Sequence, residues 1–300
     1  MGHSLLRSPA FQIVVITLLV FLGVMGLRSQ GVLEGLEIEA YDWSLRLRSH
    51  QLSESPPITL VTITDQDIQE VGHWPISDEI LATALTRIQS LGPRVIGVDI
   101  YRDLEVPPGR AALNQVLERF PQIIMVMKFG KPEQGGISGP AILQGTHRVG
   151  FSDMVVDPDG VVRRGLLYLD DGTTSFHSLS FLLALKYLEQ DGVKPEPARD
   201  TSNWLKLGQT VFRPFESHDG SYVQADAHGY QFLLNLDRGD QAFPTLSLKN
   251  ILAGSLEPEL IHDRIVLLGV VSEGVKDYFY TSQCGRLMRC PHVSGSELHA

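Results

Sequence analysis

Four short apolar runs constrain the fold of this chain more than any other feature. They are ITLVTI (58–63), RVIGVDI (94–100), QIIMVMKF (122–129) and RIVLLGV (264–270). Each is rich in β-branched or aliphatic residues and shows no polar alternation. That is the signature of a strand buried on both faces. Between the first two, Ser77 is placed to cap a helix, with Asp78 and Glu79 in its first turn. Ile80, Leu81, Ala84, Leu85, Ile88 and Leu91 then repeat at helical spacing, and Gly92-Pro93 stops the helix. A second helix is predicted over 111–120. Strand, helix, strand, helix, strand implies parallel pairing with crossover connections. The expected fold class is α/β, with a mixed, largely parallel sheet covered by helices on both faces.

The middle of the chain changes character. HRVGFSDMVV and VVRRGLLYL flank Asp157-Pro-Asp-Gly160, a tight-turn sequence, so a hairpin is predicted. The same four residues begin like a calcium loop but lack its later ligands and closing glutamate. Arg163 and Arg164 alternate faces on the following strand, so one of them is expected to pair with a buried acid. An apolar helix is predicted over 176–188, a surface loop over 191–201, and short strands around 204–212 and 230–236. Thr245 or Ser247 begins a helix ending at Gly254.

Residues 11–27 read FQIVVITLLVFLGVMGL, without a charge. A run of this length is at the short end of what spans a bilayer. Arg7 before it predicts a cytoplasmic N-terminus over 1–10 and an extracytoplasmic remainder. Two other readings compete: a signal peptide cut near Val24 and Gly26, and a buried helix of a soluble protein. Residues 28–55 are expected to hold a juxtamembrane helix, over 30–49, that packs one side through Leu36, Tyr41, Trp43, Leu45 and Leu47. Residues 56–300 form the main domain. With 35 acidic against 25 basic side chains, the net charge of −10 argues against a nucleic-acid partner and against adsorption to an anionic surface. The two cysteines, Cys284 and Cys290, would close a short disulfide loop in an exported domain. A zinc site adding His292 lacks the paired spacing such sites need.

Several segments in order resemble one extracytoplasmic sensory family. They are YDWSLRLR after the apolar run, VTITDQDI, GHWP (72–75), RVIGVDIYRD (94–103), VGFSDMVVDPDGVVRR (149–164), SLSFLLAL, IHDRIVLLGVVSEGVKDYFYT and SGSELHA. The family is the second type of the CHASE class, the cyclase- and histidine-kinase-associated sensory extracellular domains. The resemblance spans about Tyr41 to Ala300. It implies the input module of a membrane receptor, with further membrane helices and a cyclase, kinase or diguanylate cyclase output beyond residue 300 or on a partner. It also implies a homodimer in the cell (inner) membrane, an unknown extracellular ligand, and no catalysis in this chain.

Candidate sites follow from position. Asp65 and Asp67 come after the first run, and Asp99 and Asp103 end or follow the second. In parallel α/β sheets the carboxyl ends of the strands form the ligand crevice. Four carboxylates there would bind a cation or poise a ligand amine, or would simply cap loops and helix starts. Trp74 before the first helix floors a pocket or anchors packing. The loop GVVSEGVKD, with Gly269, Ser272 and Asp277, offers amides to an anion, although it is not a P-loop. No GxSxG, HExxH or paired CxxC pattern occurs, so no catalytic residue, metal ligand or cofactor is assigned. The competing reading is a membrane-tethered envelope hydrolase or binding protein that uses the aspartates.

Overall fold

The computed structural model describes residues 9–47, 56–199, 201–235, 243–272, 274–275, 278–283 and 293–300. Two compact units result, Met1–Ser49 with Phe215–Ala227 and His50–Pro214 with His228–Ala300.

The first unit is built on two helices. α1 (Pro9–Ser29) is 21 residues long, has no buried residue and contains an 18-residue stretch of mean hydropathy 2.5. It is long and apolar enough to cross a bilayer. Gly31 (φ +76°) breaks the helix, and α2 (Glu34–Leu47) restarts it. The predicted single helix from residue 30 therefore begins four residues later. The segment 215–227 belongs to this unit through polar contacts. Arg28 Nη2 donates to the Gly220 carbonyl at 3.1 Å, and Glu34 Oε1 accepts from the Val223 amide at 3.3 Å. Phe215 and Tyr222 are buried and meet edge to face with centroids 5.0 Å apart. Asp42 and Leu45 are buried, whereas Leu36, Trp43 and Leu47, expected to pack, are exposed. The reason is angular: 34, 38, 42 and 45 share one face, and 36, 40, 43 and 47 share the opposite one.

The second unit contains the predicted parallel sheet. Its strands are β1 (Ile58–Ile63), β2 (Val95–Asp99), β3 (Ile123–Met127), β4 (Val149–Phe151), β12 (Thr245–Ser247) and β13 (Ile265–Val270), in the order β12-β1-β13-β2-β3-β4. Every pairing is parallel. One face carries Val61, Ile63, Ile96, Val98, Ile123, Met125 and Leu268 into a core with α4 (Asp78–Gln89), α5 (Arg110–Arg119) and α7 (Leu248–Ala253). The other face carries Leu60, Val95, Ile124, Val126 and Leu267 onto α6 (Leu179–Glu189). This two-sided burial explains the unbroken apolar runs.

A second sheet joins β5 (Val155–Val156), β6 (Val161–Asp170), β7 (Ser175–His177), β11 (Tyr230–Leu233), β14 (Tyr278–Thr281) and β15 (Val293–Ser294). β8 (Pro195–Ala198), β9 (Thr201–Leu207) and β10 (Thr210–Phe212) form a third, antiparallel one. The chain ends in α8 (Gly295–His299). Three expectations change. The predicted hairpin arm splits, so that VGF pairs in parallel with β3 and only Val155–Val156 turns back onto β6. The apolar helix predicted from 176 starts at Leu179, because Ser178 caps it and Ser175–His177 pairs with β6. The predicted loop 191–201 contains β8, which pairs with β9 although both its prolines lack an amide proton.

A short helix, α3 (Asp65–Val71), follows β1 where no helix was expected. Thr64 and Asp67 form a capping box, and Gly72 (φ +88°) closes the helix in the left-handed region.

Candidate functional site

Because the strands of the first sheet are parallel, their carboxyl ends meet along one edge. A cleft of about 490 Å³ opens there. β2 supplies Asp99 and the following Ile100, Tyr101 and Arg102; the segments after β3 and β4 supply Lys128 and Ser152–Asp153–Met154. Trp74-Pro75, joined by a cis peptide, form another wall. Val270 and Val275 come from the end of β13 and the segment after it, Phe279 from β14, and Gly295 and His299 from α8.

The aromatic wall is anchored from below. Trp74 packs on the core beneath α4. Ile76 is fully buried, and Ser77 caps α4 by accepting the Ile80 amide. The Tyr101 hydroxyl is 2.8 Å from Ser152 Oγ, which ties the β2 loop to the β4 loop. Beneath them Arg102, with no exposed side-chain surface, donates to the carbonyls of Tyr101 (2.8 Å) and Ile76 (2.7 Å). Its counter-charge is the equally buried Asp78, 3.2 Å away, which also pairs with Arg110 at 2.9 Å.

The last helix closes the cleft. A capping box between Ser294 and Glu297 starts α8. Ser296 Oγ donates to Asp99 Oδ2 at 3.0 Å. Gly269 makes this approach possible. A Cβ on residue 269 would lie 1.8 Å from Ser296 Oγ and 2.8 Å from Ser296 Cβ, so a side chain there forces α8 away. His299 is buried and hydrogen-bonded to the Ser152 backbone.

Burial shapes the titration of the site. It pushes the Asp153 carboxyl above the usual carboxylate range, against the Phe129 amide and the Lys128 charge. It holds the His299 imidazole below the usual 6.5, against the charges of Asp99 and Asp153 and the Ser152 backbone bond. The unfolded chain therefore takes up the His299 proton first as pH falls. The stabilisation from a neutral His299 is complete above pH 6.5 and is lost progressively below it. His177, lowered by burial and by the His147 charge, adds to the same slope. The variant His299→Gln is expected to lose less stability than the parent between about pH 7 and pH 5. Denaturant midpoints across that range measure it, and parallel curves would refute this account of His299.

Of the residues singled out in the sequence, Trp74 and Asp99 line the cleft, and Gly269 lies against Asp99. Asp65 and Ser272 meet by a hydrogen bond, and the Gly274 amide donates to the same serine oxygen at 3.2 Å. Asp67 is saturated. Its Oδ2 accepts from the Thr64 amide and hydroxyl, and its Oδ1 from the Lys249 amide at 2.9 Å, which bolts α3 to α7. Asp103 is exposed. Asp277, Cys284 and Cys290 lie outside the described residues. Among the described residues, no three histidines, cysteines or carboxylates are grouped to hold a metal ion. Arg163 and Arg164 both pair with Asp157, where one such pair was expected.

Sequence reasoning missed Tyr101, Lys128, Ser152, Asp153, Phe279 and His299. Ser152 and Asp153 had a usable signal, since they follow VGF directly; reading that run as a hairpin arm hid it. His299 had none, because α8 reaches Asp99 from 197 positions away.

No curated protein and no solved structure matches the chain. The model of the CHASE2 domain matches residues 16–300, on nearly the whole of the two units described, and the chain thus belongs to this family of extracytoplasmic sensory domains.

Proposed function

We propose that this chain is the signal-input module of a membrane receptor, with 1–10 cytoplasmic, 11–27 spanning the bilayer, 28–55 juxtamembrane and 56–300 sensing outside the cell. The cue binds the cleft at the carboxyl ends of the parallel strands. The cleft carries this reading. It has the volume of a small-molecule site, an apolar and aromatic lining, and a few polar groups with perturbed titration. Gly295 and His299 of α8 belong to its wall, so an occupant changes how the last helix is held. A ligand shifts such an equilibrium only by its differential affinity for the two arrangements. The output, a cyclase, kinase or diguanylate cyclase, lies outside residues 1–300. The exposed stripe Leu36–Ala40–Trp43–Leu47 repeats at four-three-four spacing and supports a homodimer through α2. A disulfide across Ala40→Cys in membranes is its test, and persistent monomers would refute it.

Thermal melting of the full chain in detergent against metals, nucleotides, sugars, amines and amino acids tests the cleft. A true ligand adds roughly 2.7 kcal/mol at a hundredfold excess over Kd. The variants Trp74→Ala and Tyr101→Ala should lose that shift. A ligand whose shift survives both substitutions binds elsewhere, and the cleft reading falls.

The alternative of an envelope hydrolase built on the four aspartates is the weaker reading, because only one of them lines the cleft. That one is Asp99, whereas Asp65 is bonded to Ser272, Asp67 is held by α3 and α7, and Asp103 is exposed.

A further inference from the structure

We propose that the occupant of the cleft is an organic cation, an amine or quaternary ammonium whose charge sits with the carboxylates of Asp99 and Asp153 while its carbon skeleton lies on Trp74, Tyr101 and Phe279. The inference rests on the reading of the cleft as the ligand site and assigns that ligand its class.

The two carboxylates come from different strand ends and converge. Both act on the imidazole of His299, which is buried beside them. Each is half-buried and each has neutral donors only: Ser296 Oγ for Asp99 Oδ2 at 3.0 Å, and for Asp153 the Phe129 amide, at 2.7 Å from Oδ2, with its own backbone amide. Among the described residues neither forms an ion pair. A carboxylate withdrawn from water without a counter-charge is costly, and a bound cation removes that cost.

The other charges of the lining do not fill the role. The Arg102 guanidinium is turned to Asp78 and to the carbonyls of Tyr101 and Ile76. His299 is held neutral by burial. Lys128 is exposed, and its charge acts on Asp153 without closing an ion pair. An anion would meet two carboxylates against this one solvated ammonium. A cation meets them together with Trp74 and Tyr101, which line the same cleft, and aromatic rings attract cations in sites withdrawn from water.

Titration calorimetry of the full chain in detergent tests this. The cation probes are choline and phenethylammonium. Their uncharged counterparts are 3,3-dimethylbutan-1-ol and 3-phenylpropan-1-ol, and the anion is 3-phenylpropionate. At least one cation is expected to bind about tenfold or more tightly than its neutral counterpart, the factor a charge-assisted contact supplies. The variants Asp99→Asn and Asp153→Asn should each weaken the cation while leaving the alcohols unchanged. The comparison of charged and neutral probes on the unmodified chain stands even if a variant fails to fold. Equal binding of cation and alcohol, preferred binding of the anion, or no cation bound at millimolar concentration overturns the proposal. In those cases a probe lost on Trp74→Ala leaves the cleft itself standing as the site; a probe indifferent to Trp74→Ala removes the cleft as well.

Discussion

Replacing Asp157 by alanine is expected to destabilise the second unit by about 3–5 kcal/mol, the range for removing one partner of a buried ion pair. Asp157 sits at the start of the β5–β6 turn and is 3% exposed. Its Oδ2 meets Arg163 Nη1 at 2.9 Å, and its Oδ1 meets Arg164 Nη2 at 2.7 Å and Nε at 3.1 Å. Both arginines are themselves buried. The substitution therefore leaves two interior guanidiniums sharing one less charge. Arg163 keeps Asp159 at 2.7 Å, whereas Arg164 keeps the neutral Gln231 Oε1 at 2.8 Å. The control is Asp159→Ala. Asp159 is 29% exposed and Arg163 retains Asp157, so a loss nearer 1 kcal/mol is expected. Urea midpoints at constant m-value measure both. Equal losses would show that burial of the Asp157 cluster is not what sets its energetics.

The same cluster shows what the sequence disclosed and what it withheld. The turn was legible, since Asp-Pro-Asp-Gly between two apolar arms has few alternatives, and Gly160 does take φ +85°. That Asp157 would serve two arginines was not, because the far side of Arg164 is closed by Gln231, 67 positions from that arginine. The parallel core was legible for a similar reason: strands covered on both faces cannot hide their composition. Local competition decided the errors. Thr64-Asp67 is a capping box written in plain sequence, yet its position after a parallel strand suits a ligand carboxylate equally well. Asp67 proved to be a cap, as Thr64 three positions before it signals, and Asp99 part of a cleft wall, which nothing in its immediate neighbours signals. The difference is made by α7 arriving beside one and α8 beside the other.

Asp78→Ala is expected to cost about as much as Asp157→Ala, again about 3–5 kcal/mol, and to disorder the cleft as well. Asp78 has no exposed surface and Arg102 has 1%. Burial pulls the Arg102 guanidinium below its ordinary value, and the Asp78 charge is what opposes this. Without that carboxylate an interior cation has only carbonyl dipoles for company. Those carbonyls belong to Tyr101 and Ile76, the residues that carry the two aromatic walls of the cleft. Asp78 also accepts from the Val106 amide at 3.3 Å and pairs with Arg110, so its carboxylate helps to fix the loop after β2. Arg102→Met is the informative comparison. It removes the buried cation while Asp78 keeps Arg110, which is 20% exposed and able to reach water. Its loss of stability should be the smaller of the two, and ligand affinity should fall in both variants, because the Tyr101 and Ile76 carbonyls lose their shared donor or its anchor. If Arg102→Met proves the more damaging, the stranded charge is the lesser effect, and the network matters chiefly as hydrogen bonds that hold Trp74 and Tyr101 apart at the width of the cleft.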